Sequence, residues 1–141
     1  MAAISAKKQQ NEVVLLEKMN MLGKKLLITG KGRCNITSSL DMEDFIKNVP
    51  GNGKFLFSAF NQFNNIDAIN FFNSIGVETK VERGDRVFPT ADSALFVIDK
   101  LKKELDKRNV KVIVNSDVEA ILLEEDRVIG VKTSEKKIHG G

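Results

Sequence analysis

Two short stretches carry residue types suited to holding a polar ligand. Glu12-Val13-Val14-Leu15-Leu16-Glu17 is an almost continuous apolar run that closes on a carboxylate. A carboxylate at a strand tip can accept from both vicinal hydroxyls of a ribose, the way a dinucleotide-binding βαβ unit holds that sugar. Gly30-Lys31-Gly32-Arg33-Cys34-Asn35 combines flexible glycines, a guanidinium and an amide. Its glycines free the backbone to take positive φ and approach a ligand closely. Arg33 adds charge-assisted hydrogen bonds to a phosphate or carbonyl oxygen. Each stretch also has an ordinary reading, a solvated strand end and a charged surface turn. Pattern alone leaves both open.

Other chemistries find less support. The usual partner of a ribose-binding acid is a G-x-G-x-x-G turn about 20 residues upstream, opening a helix whose free N–H groups receive a pyrophosphate. Counting back from Glu17 reaches Met1 too soon, so that turn and its strand are expected upstream of this chain. The Walker spacing does not occur, which removes support for nucleoside triphosphate hydrolysis. Cys34 beside Arg33 and Lys31 would be a redox thiol if those cations lay near it. The more common role of a lone cysteine is a small packed side chain. His139 is the only histidine, so neither a metal set nor a hydrolytic triad can be assembled. Glu124 and Glu125 read as a solvated turn.

The elements that must position these groups follow from local patterning. Ala2 to Gln9 reads as the last turns of a helix, and the run to Glu17 as a strand covered on both faces of a parallel sheet. Leu22 to Asn35 starts helical or irregular and passes into a loop at Thr29–Gly32. Apolar residues at helical intervals over Asp41–Val49 and Phe55–Ser74 predict two or three helices broken at Pro50–Gly53, with Phe55, Phe57, Phe60, Phe63, Phe71 and Phe72 in the core. Val77–Val81 alternates as a strand, and Pro89 stops the strand at Arg86–Pro89. Thr90 or Asp92 is expected to cap a helix lined by Ala94, Ile98, Leu101 and Leu105. Three strands then follow at 110–114, 118–123 and 127–133, as an antiparallel or mixed appendage with a turn at Glu124–Asp126.

With 141 residues, 42% hydrophobic and 29% charged, the chain has the composition of one ordinary globular domain. A net charge of +3, mixed along the chain, without Trp or Tyr platforms, does not point to nucleic acid. One cysteine cannot form an internal disulfide, which suits a cytoplasmic home. No stretch approaches the roughly 20 apolar residues that span a bilayer, so no membrane role is expected.

At Leu15–Lys18 (LLEK), Gly23–Asn35 (GKKLLITGKGRCN), Gly84–Pro89 (GDRVFP) and Asn115–Ile121 (NSDVEAI), the chain resembles the BaiN/YhiN-like family of NAD(P)/FAD-dependent oxidoreductases, bacterial flavoproteins known in part as aminoacetone oxidases. The resemblance covers essentially the whole chain. It implies an α/β fold: a partial Rossmann-like FAD-binding domain over 1–141 with a helical insert at about 41–75 and a small antiparallel β appendage at about 110–133. It further implies that a GGGPAG-type loop precedes Met1 and an ATGG-type motif follows Ile138. By resemblance Glu17 holds the adenosine ribose of FAD with Lys18 beside it, and the backbone of Val118 meets the adenine. Lys25, Gly30, Gly32, Arg33, Cys34 and Asn35 run along the cofactor toward the flavin. Lys31 stands where the family often has another glycine.

The function expected is that of part of an FAD-dependent oxidoreductase, moving hydride or electrons between FAD and NAD(P)H or a small organic substrate. The flavin carries the chemistry, and no catalytic acid or base can be named. Taken alone, this chain is expected to be inactive, to bind FAD poorly and to dimerise or aggregate, because a central strand and other flanking segments of the parent protein would be lacking. Two alternatives stay open: a non-catalytic nucleotide-binding module, and a truncated inactive fragment.

Overall fold

The computed structural model describes residues 1–7 and 10–140. In chain order the elements are α1 (Ala2–Ala6), β1 (Val14–Leu16), α2 (Lys24–Ile28), β2 (Thr37–Ser38), α3 (Met42–Lys47), α4 (Phe57–Gln62), α5 (Asn65–Ser74), β3 (Thr79–Glu82), β4 (Arg86–Pro89), α6 (Ala94–Lys107), β5 (Lys111–Ile113), β6 (Val118–Glu124), β7 (Arg127–Thr133) and β8 (Lys137–His139). Short 3-10 turns fall at Thr29–Gly32 and Gly53–Leu56. The helix expected over Ala2–Gln9 is seen at Ala2–Ala6, and its extension to Lys8 and Gln9 lies outside the described residues. The chain forms two compact units, Met1–Lys24 with the segment from Lys102 onward, and Lys25–Leu101.

In the first unit β1 and β5 pair in parallel, with Val14 opposite Lys111 and Leu16 opposite Ile113. Parallel neighbours need a long crossover, and here everything from Glu17 to Val110 intervenes. Of the antiparallel or mixed appendage expected over 110–133, β5 belongs instead to the parallel pair, and the antiparallel sheet has the order β6-β7-β8. Asn115 takes φ +53 and turns the chain away after β5, with its N–H on Met19 O and that of Ser116 on Glu17 O. The third antiparallel strand, β8, was not expected; at three residues it shows no period of its own. Glu125 and Asp126 both have positive φ, +46 and +61. That is the backbone of a two-residue hairpin turn matched to the twist of its strands. One residue later in the pairing, Leu122 faces Gly130 and Leu123 faces Val128, so Ile129 is the extra residue of a bulge. A Cβ at Gly130 would stand 2.2 Å from Ile138 O, so only glycine lets β8 lie this close.

The second unit is built on the antiparallel order β2-β4-β3. β4 is central, and Pro89 closes it opposite Thr79. Val87 and Phe88 are fully buried. Beside the sheet Cys34, Phe72, Val77, Ala94 and Val97 form a core extended by Leu26, Leu27, Ile36, Phe71, Ile75 and Leu101. The helices begin where the sequence supplies caps. Asp41 accepts from Asp44 N at the start of α3, and Asn64 with Asp67 makes a reciprocal capping box for α5. That box also explains why the region after Phe55 breaks into separate helices. For α6 the expected cap is corrected: Ser93 Oγ accepts from Phe96 N, because Asp92 is turned toward an ion-pair cluster.

The expected phenylalanine core is only partly realised. Phe72 is buried, and Phe45 and Phe60 meet edge to face at 5.2 Å, whereas Phe55, Phe57 and Phe63 are exposed. A helix as short as α4 packs one stripe inward, which Phe60 occupies. Phe57 instead joins Met42, Ile46, Glu43, Lys47 and Lys54 around a groove of about 760 Å³.

Candidate functional site

The first locus lies at the carboxyl end of the parallel pair, the edge at which open α/β sheets bind ligands. Glu17 follows β1 directly. Its N–H donates to Ile113 O at 2.9 Å, and its carbonyl accepts from Ser116 N at 2.9 Å. One carboxylate oxygen, Oε1, accepts from Met19 N at 2.8 Å, which fixes the side chain. Among the described residues no cation pairs with Glu17, so Oε2 is left for an outside donor. Lys18 does not neutralise its neighbour; its ammonium lies 2.8 Å from Asp117 instead. That contact brings the segment entering β6 alongside. Val118 opens β6 opposite Thr133, partly exposed. The three residues assigned to the adenosine end therefore gather at one strand-end locus, through the 17–19 and 113–117 segments.

The second locus is the Thr29–Asn35 turn. Gly30, Lys31, Gly32 and Cys34 all have positive φ, from +55 to +87. Gly30 is packed rather than open: a Cβ there would fall 2.7 Å from the Phe88 ring and 3.0 Å from Asn35 N. Gly32 is exposed, and a Cβ there would meet nothing nearer than Leu27 O at 3.7 Å. It is thus the glycine whose backbone a ligand can approach. Lys31 accepts the left-handed backbone without being glycine. Lys25, on α2, is exposed.

Arg33 is held on three sides. Its two terminal nitrogens each lie 2.9 Å from an oxygen of Glu82, Nη1 is also 3.1 Å from Asp92, and the guanidinium carbon sits 4.1 Å above the Phe88 ring. Lys80 completes the cluster at 2.5 Å from Asp92 and 3.5 Å from Glu82. Two cations and two carboxylates balance. The hydrogen bond from Arg33 holds the Glu82 carboxyl below its ordinary range, and that from Lys80 does the same for Asp92. Motif reading missed Lys80, Glu82, Asp92 and Phe88 as partners of this turn; the only hint was the company that GKGRCN keeps with RVFP.

Cys34 projects into the core at 1% exposure. Burial pushes its thiol up from the ordinary value, only partly offset by a hydrogen bond with Thr29. The neighbouring cations therefore do not activate it. Asn35 is exposed; with its amide nitrogen turned inward it donates to Thr37 O at 3.1 Å and Val87 O at 3.2 Å, tying the turn to β2 and β4.

Among the described residues, no group of three or more His, Cys, Asp or Glu side chains is placed to hold a metal ion, and no helix is long and apolar enough to cross a membrane.

Comparison with known proteins agrees with the mixed α/β architecture. The chain is 35% identical over 125 residues to a 3-dehydro-bile acid delta(4,6)-reductase of Clostridium scindens; the match covers 86% of this chain and 30% of the relative. The model of the HI0933-like protein Rossmann domain matches residues 1–140. The chain therefore belongs to the HI0933-like Rossmann-domain family, the flavoprotein family that its motifs resemble.

Proposed function

We propose that this chain forms the adenosine-binding and flavin-approaching surfaces of an FAD-dependent reductase. The observation that carries the reading is Glu17: a carboxylate with no cation on it among the described residues, fixed by Met19 N, at the carboxyl end of a parallel strand pair. That donor set fits a ribose, which offers two hydroxyls to one carboxylate. Lys18 flanks it, and the Val118 backbone meets the adenine. Along the rest of the cofactor run Lys25, Gly30, Gly32, Arg33, Cys34 and Asn35. Gly32 gives its backbone to close approach. Gly30 and Cys34 act through the shape of the turn, since one packs on Phe88 and the other is buried. When bound, FAD supplies the hydride and electron chemistry. NAD(P)H is the proposed reductant and a small organic molecule the acceptor; the name of the Clostridium scindens relative favours reduction as the direction.

The rival reading, a non-catalytic anion module, needs the Arg33 guanidinium free for a phosphate. Its engagement with Glu82 and Asp92 disfavours that. The test is to purify the protein that carries this chain, record its visible spectrum and release the bound group by denaturation. FAD in near-stoichiometric amount is expected, and Glu17→Ala should weaken its binding about tenfold or more, as for loss of a charge-assisted contact. A colourless protein that takes up no FAD, or a Glu17→Ala variant that binds it unchanged, would overturn the reading.

A further inference from the structure

The Arg33 cluster has a role separate from ligand contact. Arg33 stands inside the glycine turn, while its partners come from β3 and from the residue before the cap of α6, 49 and 59 positions away in the chain. The guanidinium lies across the Phe88 ring, and the same ring blocks any side chain at Gly30. Both sides of the turn therefore bear on one fully buried aromatic. A planar fork with both teeth on one carboxylate fixes an orientation as well as a distance, which a point-charge ammonium does not. By contrast the Arg33 backbone N–H bonds at short range, to Gly30 O and Thr29 O within the turn itself.

We propose that Glu82 and Asp92 are positioning residues, which hold Arg33 over the Phe88 ring and thereby set the shape of the Gly30–Asn35 turn that faces the cofactor. The proposal rests on the flavin reading for what the turn faces, and on geometry alone for how it is held. Releasing Arg33 lets the turn lift from Phe88. Cys34, next in the chain and buried beneath, then becomes reachable from solvent. This gives a reporter that needs no cofactor.

The experiment compares Glu82→Gln, Asp92→Asn and the double variant with the unaltered chain. Labelling of Cys34 by a thiol reagent is measured without denaturant, and global unfolding is measured in urea on the same samples. Cys34 labelling in Glu82→Gln should accelerate by about tenfold beyond what the change in the unfolding equilibrium accounts for, the mark of local opening. Arg33→Lys should behave like Glu82→Gln despite keeping its charge. Labelling that merely tracks global unfolding, or an Arg33→Lys chain as protected as the original, would sink the proposal. In parallel, the flavin absorbance spectrum of the FAD-bound protein carrying Glu82→Gln should shift relative to the unaltered one. If no FAD binds to the unaltered protein, the flavin reading fails while Cys34 labelling still decides how the turn is held.

Discussion

Arg33 and Glu82 form a two-toothed ion pair, nitrogen to oxygen at 2.9 Å twice over, above the buried ring of Phe88. The two side chains are 36% and 27% exposed, so the pair is worth more as a geometric constraint than as a source of stability.

Acid sensitivity follows from this cluster. The folded state holds the carboxyls of Glu82 and Asp92 below their ordinary range, so their contribution is complete above about pH 5 and lost as pH falls through the depressed values. Melting temperature measured from pH 7 downward should decline across that acid window. The Glu82→Gln, Asp92→Asn double variant should show a shallower decline, with a lower starting value.

Two glycines with left-handed backbones separate strain from collision. Gly84→Ala, where nothing lies within 4 Å, meets only the backbone penalty, about 1–2 kcal/mol. Gly30→Ala meets that and a contact with Phe88 at 2.7 Å, so it should lose about 1–3 kcal/mol more. Urea titrations of the two variants measure the difference, and equal losses would mean that Phe88 yields freely.

At Gly130 the obstacle is backbone. Gly130→Ala places a methyl group against Ile138 O, and the two strands must part. Hydrogen exchange should then quicken at the N–H groups that join β7 to β8 and at Gly140, which donates to Ile129 O. Protection within the β1/β5 pair should be unchanged.

The capping box offers a plainer test. Asn64→Ala removes the acceptor for Ile66 N and Asp67 N and should cost about 1 kcal/mol in chemical denaturation.

What could be read from the chain beforehand divides by range. Helix α6, with Ala94, Ile98 and Leu105 buried along one face, and the hairpin of β6 and β7 were legible because their signals are local. The partner of β5 was not. A short apolar strand looks alike whether it pairs in parallel with β1 or opens a meander, and the choice was made by Asn115 and Ser116 bonding to the 17–19 segment. β2 and β8 are too short to show a period. At the candidate site, Glu17 and the positive-φ turn were visible as residue types. The engagement of Arg33 was hidden because its carboxylates are 49 and 59 positions distant. The exposed Phe55 and Phe57 show the opposite failure, an apolar spacing that promised burial which a 3-10 turn followed by a six-residue helix could not provide.

The tip of the β6/β7 hairpin has a practical corollary. Both turn residues adopt a conformation that Asn and Gly take more readily, yet acids stand there. Installing Asn-Gly at 125–126 would relax the bend and remove two like charges, a route to a hardier scaffold that alters no residue of either candidate locus.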